Sequence, residues 1–157
     1  MSYSGLFRPK NKSKYGGKVP QIVYRSLWEL RLMGWLDDNE QVISWSSEEI
    51  VIPYLSQIDG KKHRYYPDFF IEFENGEKYL VEIKPQKETQ PPKRGKNEKR
   101  YLTEVVTYGR NLSKWEYAKH YATDRGWKFV IWTEHHLDKL GIITSFRRSW
   151  PTPWKKK

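Results

Sequence analysis

No cysteine occurs among the 157 residues, so neither a disulfide framework nor a thiolate metal site can form. An apolar run of about 18 residues is missing too, and nothing resembles a signal peptide, so a soluble protein working in a cytoplasm is expected, with no membrane partner. Internal repeats and long low-complexity tracts are absent, and the chain is read once from end to end. Acidic residues are the most unevenly missing. Residues 1–18 hold five basic residues and no acid, 147–157 hold five and none, and 85–100 hold six and two.

The formal net charge of +10 therefore sits on two tails and one loop around a mildly acidic body. Mobile basic arms of this kind suit a polyanion such as DNA, because phosphate neutralisation tolerates flexible geometry. Solubilising tails are the plain alternative. The length allows one domain with a real core, taken as residues 19–146.

After the first arm, SLWELRLMGWLDDN reads as a helix with Ser26 as N-cap. VISW and EEIVIPY read as strands, Asp59-Gly60 turns the chain into HRYYPDFFIEF, and Asn75-Gly76 turns it into KYLVEIK. PQKETQPPKRGKNEKR is a basic loop. A helix from about Arg100 to Asn111 is expected, then another over SKWEYAKHYATDRG, with Ser113 and Glu116 as capping box and Gly126 as stop. WKFVIWT is a strand and EHHLDKLG a short last helix. This order gives an α/β or α+β domain with a mixed sheet.

The register of the hairpin across Asn75-Gly76 decides which side chains meet. A two-residue loop mixes charge and apolar groups on both faces. A three-residue loop with Gly76 left-handed in a bulge separates them. Phe69, Ile71 and Phe73 then lie with Val81 and Tyr79 on one face, while Asp68 faces Glu82 and Phe70 faces Leu80 on the other. The second register sets two carboxylates across the ladder with β-carbons about 5 Å apart, which destabilises unless something positive lies between them. Lys84 shares that face, and a divalent cation would compensate better, since Mg2+ is held by one or two carboxylates with waters and phosphate oxygens. An exposed polar end of a sheet is the alternative.

Pro67-Asp68 followed by Glu82-Ile83-Lys84 resembles the PD-(D/E)XK nuclease signature. With SGLFRPKNKSKY, YRSLWELRLMGWLDDN, VISWSSEEIVIPY, EIKPQKETQPPK and KWEYAKHYATDRGWKFVIWTE, nearly the whole chain is similar to the head-completion nuclease family of T-even-like tailed bacteriophages. A more distant likeness, over the central core, is to the endonuclease subunit that cuts transposon ends. The resemblance implies a restriction-endonuclease-like core with helices flanking the sheet. It also implies Mg2+ or Mn2+ held by Asp68, Glu82 and the Ile83 carbonyl, with Lys84 positioning the attacking water and Glu29 as the first-helix glutamate. Ser26-x-x-Glu29 also spells a capping box, while Glu29 shares a stripe with Leu32, Met33 and Leu36.

The activity implied is metal-dependent hydrolysis of double-stranded DNA during head completion, in the host cytoplasm or at the virion neck, with portal or neck proteins as partners. A non-catalytic assembly protein that keeps the fold, or a resolvase on branched DNA, are the competing readings. Lys93, Arg94, Lys96, Lys99 and Arg100 are the expected DNA contacts, since their loop leaves the motif strand directly after Lys84. Trp115, Ala118 and Ala122 read as core, with Lys119 a candidate to reach the site. Trp28, Trp35, Trp45, Trp127 and Trp132 also read as core, while Trp150 and Trp154 form a docking tail or a frayed end. The four histidines lack metal-binding spacing.

Overall fold

A computed structural model describes residues 3–18 and 20–143. The basic tail with Trp150 and Trp154 lies outside the described residues. In chain order the elements are β1 (Gly5–Phe7), β2 (Ile22–Tyr24), α1 (Leu27–Asp38), β3 (Val42–Ser47), β4 (Ile52–Leu55), β5 (Lys62–Tyr65), β6 (Phe69–Phe73), β7 (Lys78–Ile83), α2 (Glu98–Asp124), β8 (Lys128–Trp132) and α3 (Glu134–Lys139). The central sheet runs β3-β6-β7-β8. Its first two pairings are antiparallel and β7 pairs β8 in parallel, so the sheet is mixed. A parallel pair needs a long crossover, and α2 supplies it.

Period-2 alternation on β6 and β7 makes both faces apolar. Phe69, Ile71 and Val81 join Trp45 under Leu32, Met33 and Leu36 of α1 and Leu137 of α3. Phe70 and Leu80 join Phe129 and Ile131 under Trp115, Ala118 and Ala122 of α2. Fully burying each large apolar side chain contributes about 1.5–3 kcal/mol. Trp28, Trp35 and Trp132 pack half-buried on the first cluster and Trp127 on the second, so these rings serve the core as expected.

Three sequence expectations are corrected. The amino-terminal segment is not a free arm: β1 pairs β2, and the backbone amides of Lys10 and Asn11 donate to the buried Asp37 carboxylate at 2.9 and 3.1 Å. The Lys14 ammonium donates to the carbonyls of Asp37 and Asn39, capping the end of α1.

HRYYPDFFIEF is two strands rather than one. Pro67 has no amide hydrogen to donate, so the ladder ends there; β5 pairs β4 in a separate ribbon, while β6 enters the main sheet.

The helix does not restart at Ser113, because α2 is one helix of 27 residues. The Ser113 hydroxyl donates to the Gly109 carbonyl and accepts from the Gln57 amide at 3.1 Å, so it pins the chain after β4 to α2 instead of capping. Ser113→Ala is expected to cost about 1 kcal/mol, lowering the melting temperature by about 2–4 °C in a thermal scan. Gly126, at φ +75°, does stop the helix.

Candidate active site

The hairpin adopts the three-residue register. Phe69 pairs Val81, Phe70 pairs Leu80, Ile71 pairs Tyr79 and Glu72 pairs Lys78, with Gly76 at φ +90° in the turn. Carried one step past Phe69, this register sets Asp68 across from Glu82. Asp68 is fixed from two sides. Its Oδ2 accepts from the Ile83 amide at 2.8 Å, and its carbonyl accepts from the Glu48 amide at 3.1 Å. Glu48 has a left-handed backbone at φ +54°, which costs a non-glycine residue about 1–2 kcal/mol, and Arg25 grips its carboxylate through two nitrogens.

Glu82 is 8% exposed. Its Oε1 accepts from the Tyr65 hydroxyl, and its Oε2 lies 3.9 Å from the Lys84 ammonium. Lys84 stands equally far from Glu88, and its own amide bonds the Trp132 carbonyl, which ties the motif strand to β8. Lys114 reaches in from α2, half-buried, 5.7 Å from the centre of the Tyr65 ring.

Burial pushes the Asp68 carboxyl well above the usual range, and the Glu82 charge pushes it further; the Ile83 amide and Lys84 offset only part. Burial also raises Glu82, against the Tyr65 hydrogen bond and the charges of Lys84 and Lys114. Glu29 is raised by burial as well. Lys114 is lowered by burial, while Glu82 pulls it back up. Carboxylates held like this are under-compensated, and their environment favours a cation.

Glu29 takes part in the cap of α1. The Ser26 hydroxyl accepts from the Glu29 amide at 3.1 Å, and the Glu29 carboxylate accepts from the amide of Arg25 instead of that of Ser26, so the box is closed one residue early. Its charge nevertheless raises both Asp68 and Glu82.

Lys114 and Tyr65 carry no motif and sequence reasoning missed them. Lys119, the lysine expected to reach the site, is exposed. At 100° per residue, Lys114 and Lys119 flank the Trp115, Ala118 and Ala122 stripe on opposite sides, and only the lie of α2 on the sheet chooses between them.

The basic segment is also reshaped. A 3-10 turn covers Gln86–Thr89, and Lys99 and Arg100 stand on the first turn of α2. Arg94 pairs with Glu98 and covers the Tyr101 ring, and Arg100 pairs with Glu104. Lys93, Lys96 and Lys99 are exposed and make no ion pair among the described residues. Three of the histidines have partners of their own: His63 and His120 pair with Asp59 and Glu116, and His136 caps α3.

No group of three His, Cys, Asp or Glu side chains converges on one cation position among the described residues. That argues against a closed zinc or calcium cage. Two adjacent carboxylates, Glu82 buried and Asp68 half-buried, fit a hard cation that keeps several waters, as Mg2+ does.

Residues 39–134 match the family described as TnsA-like endonuclease N terminal. The head completion nuclease of Enterobacteria phage T4 is 44% identical over 147 residues, which cover 90% of this chain and 98% of that protein. The matched family span includes Asp68, Glu82, Lys84 and Lys114 and leaves out Glu29.

Proposed function

This chain belongs to the TnsA-like endonuclease family, and from that premise we propose that it is a Mg2+-dependent deoxyribonuclease cutting double-stranded DNA at Asp68 and Glu82. The observation that carries the reading is the pair itself: two carboxylates, both pushed up by burial, meet at the end of one hairpin beside two lysines. A scaffold has no use for that repulsion.

Asp68 and Glu82 seat the cation, with the Ile83 carbonyl as a further ligand. When bound, Mg2+ or Mn2+ polarises the scissile phosphate and lowers the pKa of its water. Tyr65 fixes the orientation of Glu82 by its hydrogen bond. Lys84 sits beside Oε2 of Glu82, where its ammonium orients the attacking water and balances charge that develops on the phosphate. Glu29 holds a second water at the start of α1. Lys93, Arg94, Lys96, Lys99 and Arg100 grip the phosphate backbone without reading bases, Arg94 and Arg100 by exchanging exposed carboxylates for phosphates.

The likeness to the phage T4 protein supports a place in head completion; on this reading the chain would process DNA ends in the host cytoplasm after packaging. Portal or neck proteins would be its partners there. Cleavage of linear and circular duplex DNA is expected with Mg2+ or Mn2+ and not with EDTA. Glu82→Gln is expected to bind DNA as the parent does and to cut it at least about 100-fold more slowly. Binding without cutting by any form, across metals and substrates, would sink the enzyme and leave an assembly protein that keeps a nuclease fold.

A further inference from the structure

The β4–β5 ribbon forms a two-stranded ladder separate from the central sheet and lays one face on α2. Ile52, Tyr54 and Tyr65 fill that inner face. Pro53 pairs Arg64 and Leu55 pairs Lys62 on the outer face, and Val51 and Tyr66 flank the open end of the ladder. Val51, Pro53, Lys62, His63, Arg64 and Tyr66 line a shallow groove there of about 530 Å3. Val51 and Tyr66 are 40% and 46% exposed. Lys62 and Arg64 make no ion pair among the described residues. The acid nearest Lys62 in the chain, Asp59, is engaged by His63 at 2.8 Å and by the Lys61 amide at 2.9 Å.

Tyr66 is two residues from Asp68, so the groove opens within about 7 Å of chain from the carboxylates. Two uncompensated cations suit phosphates. The apolar floor and the exposed ring do not, because a duplex presents its backbone outward and keeps its base faces stacked inside. An unpaired nucleotide offers both a phosphate and a bare π-face, and bases stack on aromatic side chains without regard to sequence.

We propose that this groove holds an unpaired nucleotide of the DNA strand next to the scissile phosphate, with the base on Tyr66 over Val51 and Pro53 and the phosphates on Lys62 and Arg64. The proposal rests on the nuclease reading and narrows its substrate to DNA with a single-stranded end or branch.

The test measures binding of oligo-dT, a blunt duplex and the same duplex with a single-stranded overhang, by fluorescence anisotropy in EDTA. Tyr66→Ala is expected to weaken the oligo-dT and overhang complexes about 5- to 100-fold and leave the blunt duplex within about 2-fold. Tyr66→Phe is expected to bind like the parent. Lys62→Ala with Arg64→Ala is expected to reduce the slope of log K against log salt on oligo-dT by about 1.4. Equal losses on all three DNAs, or none on any, would overturn the groove. Binding is read without catalysis, so failure of the nuclease reading shows separately, as a parent protein that discriminates the DNAs but cuts none of them.

Discussion

Asp68→Asn is expected to melt above the parent in metal-free buffer near neutral pH while losing about 1000-fold or more of its cleavage rate. The first effect follows from burial. The folded protein holds the Asp68 carboxyl well above its unfolded pKa, chiefly by desolvation and then by the charge of Glu82. Stability from such a group is full below the unfolded pKa of about 4 and is lost as pH rises through the folded value. At neutral pH the parent carries that loss, and asparagine does not titrate. Its amide oxygen can still accept from the Ile83 amide, so the strand end stays tied. A gain of about 1–3 kcal/mol, or several degrees, is the expected scale. Mg2+ closes the gap from the other side, raising the melting temperature of the parent by mass action and leaving the variant unmoved. The second effect follows from the proposed mechanism, in which the same oxygens seat the cation; deleting even one transition-state donor elsewhere costs about 100- to 1000-fold. A variant that melts lower without metal would show that the lysines already compensate the pair.

Lys84→Met is expected to slow single-turnover cleavage at saturating DNA by about 100-fold or more while DNA binding changes less than about 3-fold. Lys84 is the ammonium ion-paired to Glu82, with a side chain only 24% exposed, whereas the five basic residues between 93 and 100 are all exposed and distribute the grip on DNA. One charge lost from a distributed grip matters little. One charge lost beside the reacting phosphate matters where it is least screened. Lys114 cannot take its place, since it approaches from α2 over the Tyr65 ring, across from the motif strand. Lys84→Arg is expected to recover little, because a planar guanidinium spreads over a larger footprint than a compact ammonium. An unchanged rate in Lys84→Met would show that Lys84 does not position the water.

Local rules made the central hairpin legible. Asn75-Gly76 permits few turns, and only one of them sorts apolar from charged side chains, so the pairing of Phe69 with Val81 and the meeting of Asp68 with Glu82 followed from sequence. The start of α1 was equally plain, because a serine cap acts on its own helix. Tertiary competition hid the rest. Ser113 and Glu116 spell a cap, but the serine hydroxyl is claimed by Gln57 from a distant loop, and α2 runs on. The basic residues at the amino terminus looked like an arm because nothing local says that Asp37 and the end of α1 need Lys10, Asn11 and Lys14. The choice of Lys114 over Lys119 depends on how one helix lies across a sheet, which no spacing encodes.

The parallel pairing of β7 with β8 also sets an order in time. Residues 78–83 are made first, and their partner strand begins only at Lys128, after the 27 residues of α2. At about 5–20 residues per second, synthesis of that helix alone takes about 1–5 s. Until β8 is made no ladder holds Lys84 at the strand end beside Glu82, and Lys114 itself is added only in the second half of α2. The hairpin is thus complete in covalent terms well before its surroundings are, and a chain still on the ribosome carries the proposed site in a disassembled state.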